Sequence, residues 1–136
     1  MSAPADHHLI VETVREAGAL AAGYFGGPLK VHEKGPGDPV SEADLAVNAL
    51  LKRRLGEARP DYGWLSEESE DDPARLGDAP LFIVDPIDGT KTFIRGVPDF
   101  AVCIALIHGG RPVAASVFNP ATDELFEAHL GGGARL

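Results

Sequence analysis

The first half of the chain has the spacing of two amphipathic helices. Between residues 6 and 25, apolar side chains recur every three or four positions and would share one face: Ile10, Val14, Ala17, Ala21 and Tyr24. The same spacing returns between residues 41 and 58, at Val47, Leu50, Leu51 and Leu55. We therefore predict two helices, over 6–25 and 41–58, with a glycine- and proline-rich loop at 34–39 between them.

Short apolar runs separated by turn residues fill the second half, which is typical of strands. They fall at 63–66, 81–84, 100–107, 112–118 and 124–129. A His-Gly-Gly turn joins the third run to the fourth, so we expect a hairpin there within an antiparallel meander. We expect no closing element in the glycine-rich end. Helices followed by strands predict an α+β fold, with the helix pair packed on one face of a mainly antiparallel sheet.

Composition narrows the class of protein. The chain has 136 residues, is 44% hydrophobic and carries a net charge of −9, which suits a single domain over 1–136. No basic face is available to neutralise phosphates, so we expect no nucleic acid polymer as a partner. No apolar run is long enough to cross a membrane, and we expect no membrane partner. The single cysteine, Cys103, excludes an internal disulfide, and the expected location is cytoplasmic.

Two acids follow the apolar run at 81–84. Asp85 and Asp88 are separated by Pro-Ile and followed by Gly89 and Thr90. Asp, Pro and Gly are also turn formers, so a polar turn is the competing interpretation. A cation site is favoured because the acids leave a buried strand, and because a helix starting at Thr90 would direct its first amides towards an anion such as phosphate.

A second acidic pair follows the strand predicted at 63–66. Strand ends meet at one edge of a sheet, so Glu67 and Glu68 could lie beside Asp85. Mg²⁺ prefers oxygen ligands, and three carboxylates from two strand ends would suffice for one or two ions. The acids at 70–72 are expected to be solvated surface.

Other polar residues have competing structural interpretations. Ser41 and Asp44 have the spacing of a helix capping box, so Asp44 could serve the cap, the site or both. Lys34 would by default be a solvated lysine. Cys103 lies in an apolar strand and is expected to be core rather than a nucleophile.

Three motifs in order, DPVSEAD, GWLSEES and VDPIDGTKTF, carry a family resemblance. They resemble the inositol monophosphatase superfamily of Mg²⁺-dependent, lithium-sensitive phosphomonoesterases. The resemblance extends through FNPATDELFEA to GGGA, nearly the whole chain. It implies the N-terminal half of a sugar-phosphatase-type layered α/β sandwich, a small phosphorylated substrate, two or three Mg²⁺ ions and inhibition by lithium.

The resemblance implies a set of metal ligands. Glu67, Asp85 and the backbone carbonyl of Ile87 would hold the first ion, and Asp85 with Asp88 would hold the second. Glu67 could also reach a third ion through water. Glu68, which is counted with the catalytic residues, would support these ligands from behind. Paired metals suit phosphoryl transfer because they neutralise the phosphate and activate water.

The resemblance also implies the catalytic and phosphate-binding groups. Asp44 and Thr90 would together orient and deprotonate the attacking water. The amides of Gly89 and Thr90 would bind the phosphate, and Lys91 could meet a second phosphate or remain solvated. Lys34 could face the same site from its loop.

The DGTK step looks closest to the 3'(2'),5'-bisphosphate nucleotidase, or CysQ-type, branch. The substrate of this branch, phosphoadenosine phosphate, is therefore the leading substrate hypothesis. Inositol-1-monophosphatase is the alternative, and histidinol-phosphate phosphatase stands behind it.

Family members continue into a second half with a Trp-Asp motif. The only tryptophan here is Trp64, and no aspartate follows it. We therefore expect residues 1–136 to be the N-terminal metal- and phosphate-binding half, with the C-terminal half absent. A truncated, catalytically inactive metal-binding fragment is the alternative of another class. Exposed sheet edges would also permit a homodimer.

Overall fold

The computed structural model describes residues 3–69 and 77–136. The acidic residues 70–72, expected to be solvated surface, lie outside the described residues. Within the described ranges the elements are α1 Ala3–Tyr24, β1 Val31–Gly35, β2 Asp38–Ser41, α2 Glu42–Ala58, β3 Gly63–Ser66, β4 Leu81–Asp88, α3 Thr90–Ile94, β5 Ala101–His108, β6 Arg111–Asn119, β7 Glu124–His129 and β8 Gly133–Arg135. No helix in these ranges is long and apolar enough to span a membrane.

The two long helices form where the apolar spacing predicts them. α1 begins three residues earlier than expected, and its predicted face is buried except for the partly buried Tyr24. On α2 the predicted core positions Val47, Leu51 and Leu55 are fully buried, while Leu50 packs at the margin. Ser41 is the N-cap of α2, as its position predicts. Burial of these apolar faces holds both helices against the sheet.

The region at 34–39, predicted as a loop, is mostly a β-hairpin. β1 pairs with β2 in antiparallel fashion, with Val31 opposite Ser41, and the register shifts between Glu33 and Gly35. Gly37 has a φ of +74° in the turn, which suits glycine. The loop prediction was wrong because glycine and proline punctuation shows where a chain turns and cannot show that the flanking segments pair.

In residues 3–69 and 77–136, six strands form one sheet in the order β3-β4-β5-β6-β7-β8. β3 runs parallel to β4, and the remaining pairs are antiparallel. The α+β expectation of a helix pair on a mainly antiparallel sheet is confirmed. The expectation of no further element in the glycine-rich end was wrong, because residues 133–135 form β8 and pair with β7. This pairing uses backbone groups and does not depend on apolar side chains, so the side-chain pattern did not indicate it.

The core lies between the helix pair and one face of the sheet. Along β5, Val102, Ile104 and Leu106 are buried against it, whereas the alternate positions are only partly buried. Cys103 is one of these alternate positions and lies on the sheet face away from the helices. Its placement in the core was therefore wrong, since strand alternation sends it to the other face. Burial, with Asp88 and Asp85 nearby, still raises the pKa of Cys103 to about 12.

Candidate functional site

Parallel pairing of β3 and β4 brings the two acidic segments together. Ser66, the last residue of β3, lies opposite Val84 on β4. The next residues, Glu67 and Asp85, therefore lie side by side at the carboxyl end of β3. This adjacency depends on strand order and register, and it matches the expectation that Glu67 lies beside Asp85.

β4 does not end at Val84 as predicted but continues to Asp88. Asp85 lies opposite Cys103 and Asp88 opposite Ala101, with a shift of register between the two acids. Regular strand alternation would place residues 85 and 88 on opposite faces. Here Pro86 and Ile87 are both buried, which breaks the alternation and leaves both carboxylates towards the open side.

Gly89 makes the turn from β4 into α3. Its φ is +86°, and a Cβ placed on it would lie 2.8 Å from the backbone oxygen of Asp99. The close approach is reinforced by the Thr92 hydroxyl, which donates to the carbonyl oxygens of both Gly89 and Asp99. Only glycine meets both requirements without strain, and this turn places Thr90 at the first position of α3.

Asp44 serves the cap and the site at once. The Ser41 backbone N–H donates to Oδ2 of Asp44 at 2.9 Å, and the Asp44 N–H donates to Ser41 Oγ at 3.2 Å, which completes the capping box. The other oxygen, Oδ1, accepts a hydrogen bond from Thr90 Oγ1 at 2.8 Å. The two interpretations that the sequence left open are therefore compatible, because each carboxylate oxygen has its own partners.

The Thr90 hydroxyl also lies 3.1 Å from the carbonyl oxygen of Ile87, the carbonyl predicted to be a metal ligand. A carbonyl oxygen has two lone pairs, so this contact leaves one acceptor direction free. The predicted ligand Ile87 and the predicted catalytic residue Thr90 are thus in direct contact.

Lys34 faces the site from the β1–β2 hairpin. Its Nζ lies 2.8 Å from Oε1 of Glu68 and 3.9 Å from Asp38. The hydrogen bond to Glu68 raises the pKa of Lys34, so the ammonium form is favoured. Glu68 is largely buried, and its charge is balanced by this contact. Lys34 is therefore not a free solvated lysine but closes the hairpin against the acidic pair.

The assembled groups line an open pocket of about 380 Å³. Every residue predicted for the site lines it except Asp44, which is 1% exposed beneath Thr90. Hairpin residues complete the wall, and the side chain of Lys91 is exposed at the rim. The pocket is mostly polar, in contrast to an apolar depression of about 480 Å³ on the open sheet face, which shares only Glu67 and Asp85 with it.

Negative charge accumulates around Asp85. Burial, followed by repulsion from Glu67, Asp88, Asp44 and Glu68, raises the pKa of Asp85 to about 7. In the part of the chain that the structure describes, no three His, Cys, Asp or Glu side chains are grouped closely enough to hold a metal ion as they stand.

The chemistry of the donor set nevertheless fits a hard divalent cation. The available groups are carboxylate oxygens and one backbone carbonyl, which Mg²⁺ prefers, and the ion keeps several waters that relax the demand for close protein ligands. A cation beside Asp85 would also relieve the repulsion that raises its pKa. The residues are therefore suited to the ion, and rotation of exposed carboxylates would have to complete the ligand shell.

A buried polar cluster behind the acidic pair was missed at the sequence level. Asn48 on α2 is hydrogen-bonded to Ser66 and Ser69, the residues that flank Glu67 and Glu68. The available signal was an asparagine four positions after Asp44, on the helical face that carries the core. The sequence does not show where β3 lies relative to α2, so the hydrogen-bond partners of Asn48 could not be predicted.

The chain is similar to known proteins of one family. The model of the inositol monophosphatase family matches residues 6–136. An inositol-1-monophosphatase of Rhizobium meliloti is 47% identical over 131 residues, covering 95% of this chain and 49% of that protein. A histidinol-phosphatase of Chlorobaculum parvum is 38% identical over 130 residues, with the same coverage of 95% and 49%.

A solved structure shares the fold. The extragenic suppressor protein suhB from Bartonella henselae superposes with a TM-score of 0.89 at 41% identity, covering 96% of this chain and 51% of that one. The chain thus spans about half the length of the relatives it matches. Because the family model covers nearly all of it, the chain belongs to the inositol monophosphatase family.

Proposed function

We propose that this chain is the N-terminal, metal- and phosphate-binding half of a Mg²⁺-dependent phosphatase of small phosphate monoesters. The observation that carries the proposal is the convergence of the Asp44–Thr90 pair with Glu67, Asp85 and Asp88 around one pocket. Family membership supports the same reaction class.

The metal roles are those that the family resemblance implies, and the donor atoms are oxygens of the kind that Mg²⁺ prefers. Glu67, Asp85 and the carbonyl of Ile87 would hold one Mg²⁺, while Asp85 and Asp88 would share a second. When bound, the ions would supply charge neutralisation of the phosphate and a more acidic attacking water. Glu68, with its charge balanced by Lys34, would support the ligands without competing for the ion.

The proton-handling role falls to Asp44 and Thr90. Oδ2 of Asp44 is occupied by the helix cap, so its orientation is held, while Oδ1 accepts from Thr90 Oγ1. A water proton accepted at Thr90 Oγ1 could be balanced by the hydroxyl proton moving to Asp44 Oδ1. We therefore expect Thr90→Ala to lower kcat more than substrate affinity.

Phosphate binding is assigned to the turn after β4. The first amides of a helix have no intrahelical acceptor, so Gly89 and Thr90 can direct N–H groups towards a phosphate oxygen. The Thr92 hydroxyl, bonded to the carbonyl oxygens of Gly89 and Asp99, holds this turn in place.

Three substrates are supported by specific observations. The relatives named above favour inositol monophosphate, with histidinol phosphate as a further candidate. The exposed ammonium of Lys91 at the pocket rim instead favours a substrate with a second phosphate, such as a 3'(2'),5'-bisphosphate nucleotide.

The test is phosphate release by the purified chain with Mg²⁺ and each of the three substrates, with Asp85→Asn as the inactive control. Turnover above the control supports the phosphatase. Lys91→Met should lower kcat/KM for the bisphosphate and leave inositol monophosphate unchanged if Lys91 reads a second phosphate. Lys52→Met, on the exposed part of α2, is the matched control for a lost surface charge.

The rival is a catalytically inactive metal-binding fragment. Mg²⁺ binding without turnover above the Asp85→Asn control would favour it over enzymatic activity of this chain. If the chain shows neither Mg²⁺ binding nor turnover, both proposals are contradicted. Addition of Li⁺ to an active sample should inhibit it, as the family resemblance implies.

A further inference from the structure

One buried side chain lies between the two segments that form the site, the end of β3 and the β4–α3 turn. Asn48 is 8% exposed and follows Asp44 by four residues, so both project from the same face of α2 one turn apart. Asp44 contacts Thr90, which belongs to the β4–α3 turn. Asn48 instead contacts the end of β3, and α2 therefore touches both acidic segments through two polar side chains.

The amide of Asn48 brackets the acidic pair. Its Oδ1 accepts a hydrogen bond from Ser66 Oγ at 2.5 Å, and its Nδ2 donates to Ser69 Oγ at 2.9 Å. Nδ2 is also 3.5 Å from the carbonyl oxygen of Glu68, while the Glu68 N–H donates to Ser66 Oγ at 3.2 Å. Both sides of the Glu67–Glu68 pair are thus tied to one amide.

We propose that Asn48 is a positioning residue that sets the Glu67–Glu68 carboxylates relative to Asp44 and Thr90. The placement of the Glu67–Glu68 pair by Asn48 is inferred from the hydrogen bonds alone. The expected effect of Asn48 on metal binding rests on the proposed function. α2 holds Thr90 through Asp44 and the β3 end through Asn48, so the register of one helix determines the spacing between the two segments.

The chemistry favours an amide at this position. Ser66 donates to Asn48 and Ser69 accepts from it, so the side chain has to accept and donate at once. A carboxylate would lose the donor and add a charge to a cluster that already contains Glu67, Glu68 and Asp44. Leucine, of similar size, would leave the hydroxyl of Ser66 without its acceptor.

The chain carries its own reporter for this contact. Trp64 is the single tryptophan, and its indole Nε1 donates to the same Ser69 Oγ at 3.1 Å. Loss of the Asn48 bond to Ser69 should therefore change the fluorescence emission of Trp64. The change is expected in the metal-free chain, before any catalytic measurement is made.

Asn48→Leu is the decisive variant, and Leu55→Ala, two turns further along α2 and fully buried, is the control for a general loss of stability. We expect Asn48→Leu to weaken Mg²⁺ binding by about 10- to 100-fold in calorimetry, the range typical of residues that orient metal ligands. Amide hydrogen exchange at residues 67–69 should accelerate as well. Leu55→Ala should lower the melting temperature without a selective change in either quantity.

The outcomes separate this inference from the proposed function. If the wild-type chain does not bind Mg²⁺, the proposed function fails, and hydrogen exchange at 67–69 with Trp64 emission still decides whether Asn48 holds the pair. If Asn48→Leu binds Mg²⁺ like wild type, or residues 67–69 keep their exchange protection, the positioning role is overturned.

Discussion

Thr90 and Asp44 are joined by a hydrogen bond of 2.8 Å between Oγ1 and Oδ1, although 46 residues separate them in the chain. The same aspartate closes the N-terminus of α2 through its other oxygen. One carboxylate therefore links helix capping to the candidate site, and a substitution at Asp44 should be felt in both.

We expect Thr90 and Asp44 to be energetically coupled in the folded chain. A double-mutant cycle of Thr90→Val and Asp44→Asn, measured by urea unfolding, should give a coupling free energy of about 1–2 kcal/mol, because the bond joins a hydroxyl to a charged acceptor. Thr13→Ala is the control: it removes a hydroxyl that donates to the Leu9 carbonyl on α1 and shares no partner with Thr90, so its cost should add to that of Thr90→Val. A coupling near zero would mean that the contact contributes nothing to stability.

Mg²⁺ should stabilise the chain through Asp85. A ligand at 100 times its Kd raises the free energy of unfolding by about 2.7 kcal/mol, which is measurable as a higher melting temperature. Asp85→Asn should abolish this response and melt above wild type in metal-free buffer at pH 8, since it removes a carboxylate crowded by other acids. Asp61→Asn, an exposed acid elsewhere, should keep the response. An unchanged response in Asp85→Asn would refute its role as a ligand.

Gly89→Ala and Gly96→Ala should differ sharply in stability. Both glycines have positive φ, +86° and +74°, but only at Gly89 would the new Cβ meet the backbone of Asp99. We expect Gly96→Ala to cost about 1–2 kcal/mol for its left-handed conformation, and Gly89→Ala a further 1–3 kcal/mol for overpacking. Denaturant unfolding compares the two, and equal costs would contradict the crowding at Gly89.

Acidification should weaken the contact between α1 and β7 at His7. The pKa of His7 is lowered first by burial and next by His129, whose ring centroid lies 4.4 Å away. Glu127, at 3.7 Å, opposes this effect, while Arg135 and His8 lower the pKa further. His7 is therefore protonated more readily in the unfolded chain than in the folded one. Its contribution to stability is complete above pH 6.5 and is lost as the pH falls below that value.

The expected result is a smaller acid loss of stability in His7→Gln than in wild type, measured by urea unfolding between pH 5 and 8. His8→Gln, whose imidazole is mostly exposed, is the matched control and should keep the wild-type profile. Identical pH profiles for His7→Gln and wild type would show that another group is responsible.

Local patterns predicted much of the fold. The apolar faces of α1 and α2 follow from a helical period, and β3 and β7 match their predicted limits because turn residues bound each apolar run. The capping box at Ser41 was visible because it is a contact between residues three apart. These features depend on neighbours in the chain, which is why they could be predicted.

The departures involve pairing between segments. The β1–β2 hairpin and β8 are held by backbone hydrogen bonds, which leave no clear mark on side-chain pattern. The irregularity at Pro86 and Ile87 that turns Asp85 and Asp88 to one side was also hidden, since spacing alone predicts opposite faces.

The motifs were enough to suggest the family and the residue types of the candidate site, because they are local patterns of acids, glycine and threonine that can be read from the sequence. The tertiary structure decided which of them meet. Parallel pairing of β3 with β4 places Glu67 beside Asp85, and α2 joins Asp44 to Thr90 and Asn48 to the acidic pair. Such contacts bridge 18 or more residues, so they arise only when the core packs the helices on the sheet.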